Sequence, residues 1–256
     1  MLTTQFLPGT PCWIDYGSPA LEATAAFYTG LFGWRFESFG PDMEYGVCRA
    51  DGKTVAAIGT LTDEGDSPAW MLYFATTDCD AAVKAVEQAG GTVRSGPGDI
   101  GGQGRFAQLT DPSGAEFALW EPGGLRGLDL VTDPGSLGWV ELYTPDVEGM
   151  RGFYRTVFGW RFEDMPMGDY TYPVASPAEG DQADTAMAGL VELRDGGRPH
   201  WLLYFEVPDC DATVARCQEL GGTVAEAATD IEGVGRMAFL TDPHGARFAV
   251  ITSAAA

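Results

Sequence analysis

The sequence predicts an α+β protein built from two tandem modules, each containing two βαβββ units. Three blocks recur in the same order along the 256 residues, and each copy alternates between strand and helix periodicity. Residues 27–37 return at 153–163, residues 73–93 return in part at 204–224, and residues 104–112 return at 235–243. Because a repeat this long exceeds the period of a solenoid, the pattern indicates tandem domains. We predict module 1 at 1–121, a Gly- and Pro-bearing linker at 122–136, and module 2 at 137–256.

The first unit of module 1 begins with a predicted strand at residues 11–16. Ser18 and Pro19 then predict the N-cap and first position of a helix. The helix continues through apolar residues at helical spacing and ends at Gly33. Residues 45–61 predict two strands joined by an Asp-Gly turn.

The second unit repeats this order further along the chain. A strand is predicted from Trp70 to Ala75, followed by a helix that starts at Asp78 and ends near Gly90. Strands at 105–110 and 116–120 flank an Asp-Pro-Ser-Gly turn. The glycine-rich stretch 96–104 contains Pro and Asp and lacks the lysine of a phosphate-binding loop, so we expect a mobile loop there.

Charge and composition exclude several classes of partner. Lys+Arg 15 against Asp+Glu 37 gives a net charge of −22, which disfavours nucleic acid and anionic membranes. No apolar run reaches the length of a membrane span, and no signal peptide is evident. The five cysteines lack C-x-x-C spacing, which predicts free thiols in the cytoplasm. We expect a small-molecule ligand and a monomer whose modules pair within the chain.

The repeated blocks carry a family resemblance. The run Phe-Tyr-x-x-Leu-Phe-Gly-Trp at 27–34, its copy at 153–160, and the Thr-Asp-Pro-x-Gly hairpins at 110–114 and 241–245 are similar to those of the vicinal oxygen chelate superfamily. That superfamily includes glyoxalase I, bleomycin-resistance proteins and extradiol dioxygenases. The resemblance implies that paired βαβββ units form half-open barrels whose concave face holds a small molecule. It does not imply one reaction, because this fold supports many.

Many members of this superfamily bind a divalent metal through His and Glu, and the resemblance implies where those ligands would lie. The implied positions hold Trp13 and Trp139, Met71 and Leu202 (or Trp70 and Trp201 if the register shifts by one), and Ala118 and Ala249. These side chains are not ligands of the family type. The remaining ligand region has no carboxylate at 53–61 and only Glu192 at 185–193. We therefore expect no metal and no cofactor.

The same positions predict the lining of the cavity. Because alternate strand residues share a face, Asp15 lies beside Trp13, and Glu141 lies beside Trp139. These two acids are the candidate catalytic residues. The predicted ligand-binding residues are Trp13, Met71, Tyr73, Glu116, Trp120, Trp139, Leu202, Tyr204 and Arg247.

The two cavities differ in charge, since Glu116 stands where module 2 has Arg247. If units pair within a module, Glu116 would meet Asp15; if they pair across modules, it would meet Glu141. Two facing carboxylates would raise the pH at which one takes up a proton, which would provide a general acid.

These observations favour a metal-independent binding protein for a hydrophobic or planar metabolite. The alternative is a metal-free isomerase, cyclase or lyase that uses Asp15 or Glu141 as its acid or base. A simpler interpretation has the tryptophans filling the barrels and the acids satisfied by backbone N–H groups or by Arg105 and Arg236. Cys79 and Cys210 lie at predicted helix N-termini, where a thiolate would be favoured.

Overall fold

The computed structural model describes residues 1–40, 44–61, 67–168, 170–194 and 196–254. The first half contains β1 (Pro11–Ser18), α1 (Leu21–Phe32), β2 (Arg35–Ser38), β3 (Tyr45–Ala50), β4 (Lys53–Thr60), β5 (Ala69–Ala75), α2 (Cys79–Gln88), β6 (Thr92–Asp99), β7 (Gly104–Thr110) and β8 (Glu116–Pro122). The second half contains β9 (Leu137–Thr144), α3 (Val147–Phe158), β10 (Arg161–Met167), β11 (Tyr170–Ser176), β12 (Ala188–Glu192), β13 (His200–Glu206), α4 (Cys210–Glu219), β14 (Thr223–Ile231), β15 (Gly235–Thr241) and β16 (Arg247–Ser253).

The predicted α+β class and the four βαβββ units are confirmed. The strands form two eight-stranded sheets, in the orders β2-β3-β4-β1-β5-β8-β7-β6 and β10-β11-β12-β9-β13-β16-β15-β14. In each βαβββ unit the first strand pairs in parallel with the last strand, as β1 does with β4 and β5 does with β8. The helix between them supplies the long crossover that a parallel pair requires.

The chain also divides into two compact units, which are larger than the βαβββ units, and each compact unit contains residues from both halves of the chain. The terms unit 1 and unit 2 refer to these compact units from here on. Unit 1 comprises residues 1–13, 71–127 and 139–201, and unit 2 comprises 14–70, 128–138 and 202–256. One βαβββ segment from the first half therefore packs with one from the second half in each unit.

A buried tyrosine joins the two halves within unit 1. The Tyr154 hydroxyl of α3 donates to Asp111 Oδ2 in the β7–β8 turn at 3.0 Å, and Trp201 Nε1 donates to the Tyr154 hydroxyl at 3.1 Å. The other oxygen of Asp111 accepts the backbone N–H groups of Gly114 and Ala115. Burial outweighs these bonds and raises the pKa of Asp111 above its ordinary value.

Unit 2 repeats the arrangement with the halves exchanged. The Tyr28 hydroxyl of α1 donates to Asp242 Oδ2 at 3.1 Å, and Trp70 Nε1 donates to the Tyr28 hydroxyl at 3.0 Å. The Thr-Asp-Pro hairpin of each half thus anchors a helix of the other half, because a buried carboxylate needs hydrogen-bond donors.

Two local predictions were wrong. Ser18 is not the N-cap of α1: the strand β1 continues through Ser18, which pairs with Thr60, and Ala20 occupies the cap without a side-chain bond. Ser18 instead contacts the Thr24 hydroxyl at 2.7 Å. The stretch 96–99 is not a loop, because it lies in β6 and pairs with β7, as Gly98 does with Phe106.

Within the part of the chain that the structure describes, no helix is long and apolar enough to cross a membrane.

Candidate functional site

The strand β9 presents two different faces in unit 1. Val140 and Leu142 are fully buried, whereas Trp139, Glu141 and Tyr143 are only partly buried. Alternation along the strand places these last three side chains on one face, away from the core. The predicted neighbours Trp139 and Glu141 are therefore brought together.

A hydrogen-bonded chain links Trp139, Tyr172 and Glu141. Trp139 Nε1 donates to the Tyr172 hydroxyl at 2.9 Å, and the Tyr172 hydroxyl donates to Glu141 Oε1 at 2.6 Å. Because an indole N–H only donates, it takes a lone pair of the phenol and leaves the phenol proton for the carboxylate. The direction of the chain is thus set from Trp139 to Glu141.

A glycine makes room for this chain. Gly189 of β12 pairs with Glu141, and a methyl group added to Gly189 would overlap the Tyr172 hydroxyl. Burial is the main cause that raises the pKa of Tyr172 well above its ordinary value, and the neighbouring Glu141 charge raises it further. Tyr172 therefore keeps its proton at neutral pH.

An imidazole lies further along the same face. The rings of Tyr143 and His200 stack with centroids 5.0 Å apart and planes 6° from parallel. His200 Nδ1 lies 2.9 Å from the Arg198 carbonyl oxygen, which accepts its proton. The face of β9 in unit 1, called here the β9 face, thus combines Trp139, Glu141, Tyr143, Tyr172 and His200.

Unit 2 contains a matching acid and tyrosine. The Tyr45 hydroxyl of β3 donates to Asp15 Oδ2 of β1 at 3.1 Å. The Tyr45 ring lies against Gly59 and stacks on Phe39, with centroids 6.0 Å apart. Phe39 is 57% exposed, so this aromatic pair is open to solvent.

The other predicted residues of unit 1 lie on β1, β5 and β8. Trp13, Tyr73 and Trp120 are buried, and Met71 is partly buried. Trp120 Nε1 donates to the Leu125 carbonyl oxygen at 3.0 Å. Glu116 forms an ion pair with Arg94 at 2.9 Å, which balances its charge.

The other predicted residues of unit 2 lie on β13 and β16. Leu202 and Tyr204 are buried, and Tyr204 meets Phe239 edge to face with centroids 5.9 Å apart. Arg247 is exposed at the start of β16. Trp201 points into the core of unit 1, and Trp70 points into that of unit 2, so strand alternation directs Leu202 and Met71 to the opposite face.

The sequence suggested Arg105 and Arg236 as partners for Asp15 and Glu141, but both arginines form ion pairs with other carboxylates. Arg105 pairs with Asp80 at 2.6 Å, and Arg236 pairs with Asp211 at 2.8 Å. Tyrosine hydroxyls contact Asp15 and Glu141 instead. Sequence reasoning missed Tyr45 and Tyr172, although both begin a Tyr-x-Val triplet at matching places in the repeat.

The thiols at the helix N-termini are not activated. Cys79 and Cys210 are buried at the first positions of α2 and α4, and burial raises the pKa of each to about 11. Desolvation is the main cause of the raised pKa of each thiol, and it opposes the thiolate that a helix N-terminus would favour.

The residues do not fit a metal site of the family type. Side chains of Trp, Met, Leu and Ala occupy the implied ligand positions. In the described ranges, no three side chains of His, Cys, Asp or Glu come together in a way that could hold an ion.

Comparisons with known proteins agree with this architecture. The family model described as Glyoxalase/Bleomycin resistance protein/Dioxygenase superfamily matches residues 13–119 and 136–250. The anthracycline biosynthesis protein DauV of Streptomyces sp. strain C5 is 45% identical over 97% of this chain and 94% of its own length. The anthracycline biosynthesis protein DnrV of Streptomyces peucetius is 43% identical over the same shares. The Mn(II)-bound glyoxalase from Novosphingobium aromaticivorans has a similar fold, with a TM-score of 0.64 at 18% identity, covering 95% of this chain and 83% of that one.

Proposed function

The chain belongs to the glyoxalase/bleomycin resistance protein/dioxygenase superfamily, and on that premise we propose that it binds a planar, hydrophobic metabolite without a metal ion. The β9 face is the proposed contact surface in unit 1. The observation that carries the proposal is the chain from Trp139 through Tyr172 to Glu141, beside the Tyr143–His200 stack. Aromatic surfaces with a few oriented polar groups are typical of small-molecule sites.

The names of the two relatives narrow the ligand class. Both are called anthracycline biosynthesis proteins, and anthracyclines are flat molecules of fused rings. A ligand of this shape would stack on the indole of Trp139 and on tyrosine rings. We propose a fused-ring aromatic compound as the ligand of this chain.

A titration with a neutral anthraquinone tests the proposal. A neutral probe is needed because a net charge of −22 would attract any cation without specificity. We expect saturable binding by isothermal calorimetry, and Trp139→Ala weakens it by about 10-fold because a stacking surface is lost. Ile100→Ala, at an exposed position of unit 1, is the control. An absence of binding up to the solubility limit would reject the proposal.

A second candidate is a metal-free acid/base enzyme, an isomerase, cyclase or lyase. It is favoured by the 2.6 Å contact between the Tyr172 phenol and the Glu141 carboxylate, and by the similar pair of Tyr45 and Asp15. Mass spectrometry of the compound that co-purifies with the protein, before and after incubation, separates the two candidates. Turnover that falls roughly 10²–10⁴-fold in Glu141→Gln or Asp15→Asn indicates an enzyme. A binding protein returns the compound unchanged.

A further inference from the structure

We infer that Gly189 of β12 is a positioning residue of the β9 face. Its missing side chain leaves the space in which the Tyr172 hydroxyl lies, and that hydroxyl in turn holds the Trp139 indole. The inference rests on the proposed function, and it adds the residue that fixes the stacking surface for a planar ligand.

The hydroxyl end of Tyr172 lies directly over the backbone of Gly189. A methyl group added to Gly189 would meet three atoms of Tyr172 first, which are Oη, Cζ and Cε2, and it would overlap the hydroxyl oxygen. These atoms belong to a rigid ring, so the whole phenol would have to move away from β12. Any larger residue at position 189 would therefore displace the hydroxyl.

In its present position the Tyr172 hydroxyl forms two hydrogen bonds at once. It accepts the Trp139 Nε1 proton at 2.9 Å and donates to Glu141 Oε1 at 2.6 Å. The first bond fixes the rotation of the Trp139 side chain, which is partly buried on the β9 face. A ring that is already held in place loses less conformational entropy when a flat ligand stacks on it. Gly189 thus acts on the ligand through Tyr172 and Trp139.

The first half of the chain shows that the fold does not require this glycine. Ala57 of β4 pairs with Asp15 in the way that Gly189 pairs with the acid of β9. In that half the Tyr45 ring lies over Gly59, two residues further along β4. The contact between tyrosine and acid is 3.1 Å there, against 2.6 Å in unit 1. Because the same architecture accepts alanine at this place, Gly189 is a feature of the unit 1 site.

The indole signal of Trp139 tests the positioning without any ligand. In a two-dimensional proton–nitrogen NMR spectrum each of the seven tryptophans gives one indole signal, and Trp139→Phe identifies the signal of Trp139. We expect Gly189→Ala to move this proton signal upfield, because the indole loses the acceptor that Tyr172 provides. The remaining indole signals stay in place. Gly152→Ala is the matched control, since a methyl group at Gly152 of α3 meets no described atom within 4 Å.

Calorimetry with the neutral anthraquinone tests what the positioning does for the ligand. We expect Gly189→Ala to weaken binding about 5-fold, because the loosened indole must then be ordered on binding. Gly152→Ala should leave the dissociation constant unchanged. In a Tyr172→Ala background, Gly189→Ala should have no further effect, since the phenol through which Gly189 acts is gone.

The double variant also decides the case in which Gly189→Ala does not fold. The three atoms nearest to the added methyl group all belong to Tyr172, so the further change Tyr172→Ala should restore the fold. Circular dichroism of both variants measures this. A double variant that stays unfolded overturns the inference, because the methyl group would then be harmful for another reason.

The outcomes separate this inference from the proposed function. An unmoved Trp139 indole signal in folded Gly189→Ala overturns the inference, and so does a dissociation constant for the anthraquinone equal to that of the wild-type protein. In both cases the wild-type protein still binds the probe, and the binding function stands. An absence of binding by the wild-type protein rejects the proposed function itself.

Discussion

Burial and hydrogen-bond partners distinguish three carboxylates of this protein. Asp15 and Glu141 occupy equivalent positions on β1 and β9, and their neighbours differ from those of Asp111. Asp111 is 3% exposed and accepts a hydrogen bond from the Tyr154 hydroxyl. Asp111 is held by the backbone of its own turn and serves the fold. Asp15 and Glu141 are partly buried, and each accepts a tyrosine hydroxyl from another strand of its own unit.

The cysteines provide a test at the residue scale. With pKa values of about 11, the thiols of Cys79 and Cys210 are almost fully protonated at neutral pH. Because the thiolate is the nucleophile, we expect negligible iodoacetamide labelling at neutral pH and a rate that rises with pH. Mass spectrometry of the folded protein measures labelling, and the denatured protein, in which all five cysteines react, is the control. Rapid labelling of either residue at neutral pH would contradict the burial argument.

At the scale of elements, a comparison of the two halves shows that α1 lacks the side-chain N-cap that α3 has. The helix α3 begins after Asp146, whose carboxylate accepts the Gly149 N–H at 2.9 Å. The equivalent position before α1 is Ala20, which has similar backbone angles and no side-chain bond. The two units therefore differ in the stability of this helix start.

Replacing Ala20 with Asp should give α1 the cap that α3 already has. We expect Ala20→Asp to increase the free energy of unfolding by about 1 kcal/mol, because the new carboxylate satisfies a free N–H of the first turn. Urea denaturation measures the change. Asp146→Ala is the reciprocal variant and should lose a similar amount; a destabilised Ala20→Asp protein would show that the backbone there does not permit the cap.

At the scale of the whole molecule, the two sequence halves are not the two compact units. Residues 71–127 and 139–201 pack together in unit 1, and 14–70 packs with 202–256 in unit 2. The bonds from Tyr154 to Asp111 and from Tyr28 to Asp242 connect the halves within these units. Part of the predicted linker belongs to unit 2, where the Gly135 carbonyl oxygen accepts Trp34 Nε1 at 2.7 Å.

Cutting the chain between its halves should therefore leave them together. We expect a protease site inserted between the exposed residues Gly123 and Gly124 to yield two fragments that co-elute in size-exclusion chromatography without denaturant. Each unit needs a segment from both fragments to bury its apolar surface. Denaturant should separate the fragments, which is the control. Independent elution under native conditions would contradict the exchanged packing.

The sequence alone determined the repeat, the four βαβββ units and the family, because these depend on periodicity and on motifs that are local in the chain. It also predicted Asp15 and Glu141 as matching acids on β1 and β9, and Glu141 near Trp139, since strand alternation is local. It did not predict Tyr45 and Tyr172 as their partners, because those contacts span about 30 residues and depend on which strands pair. The tertiary structure alone decided these partners and the packing of each half against the other. Both depend on contacts between distant segments, for which no local pattern in the chain is sufficient.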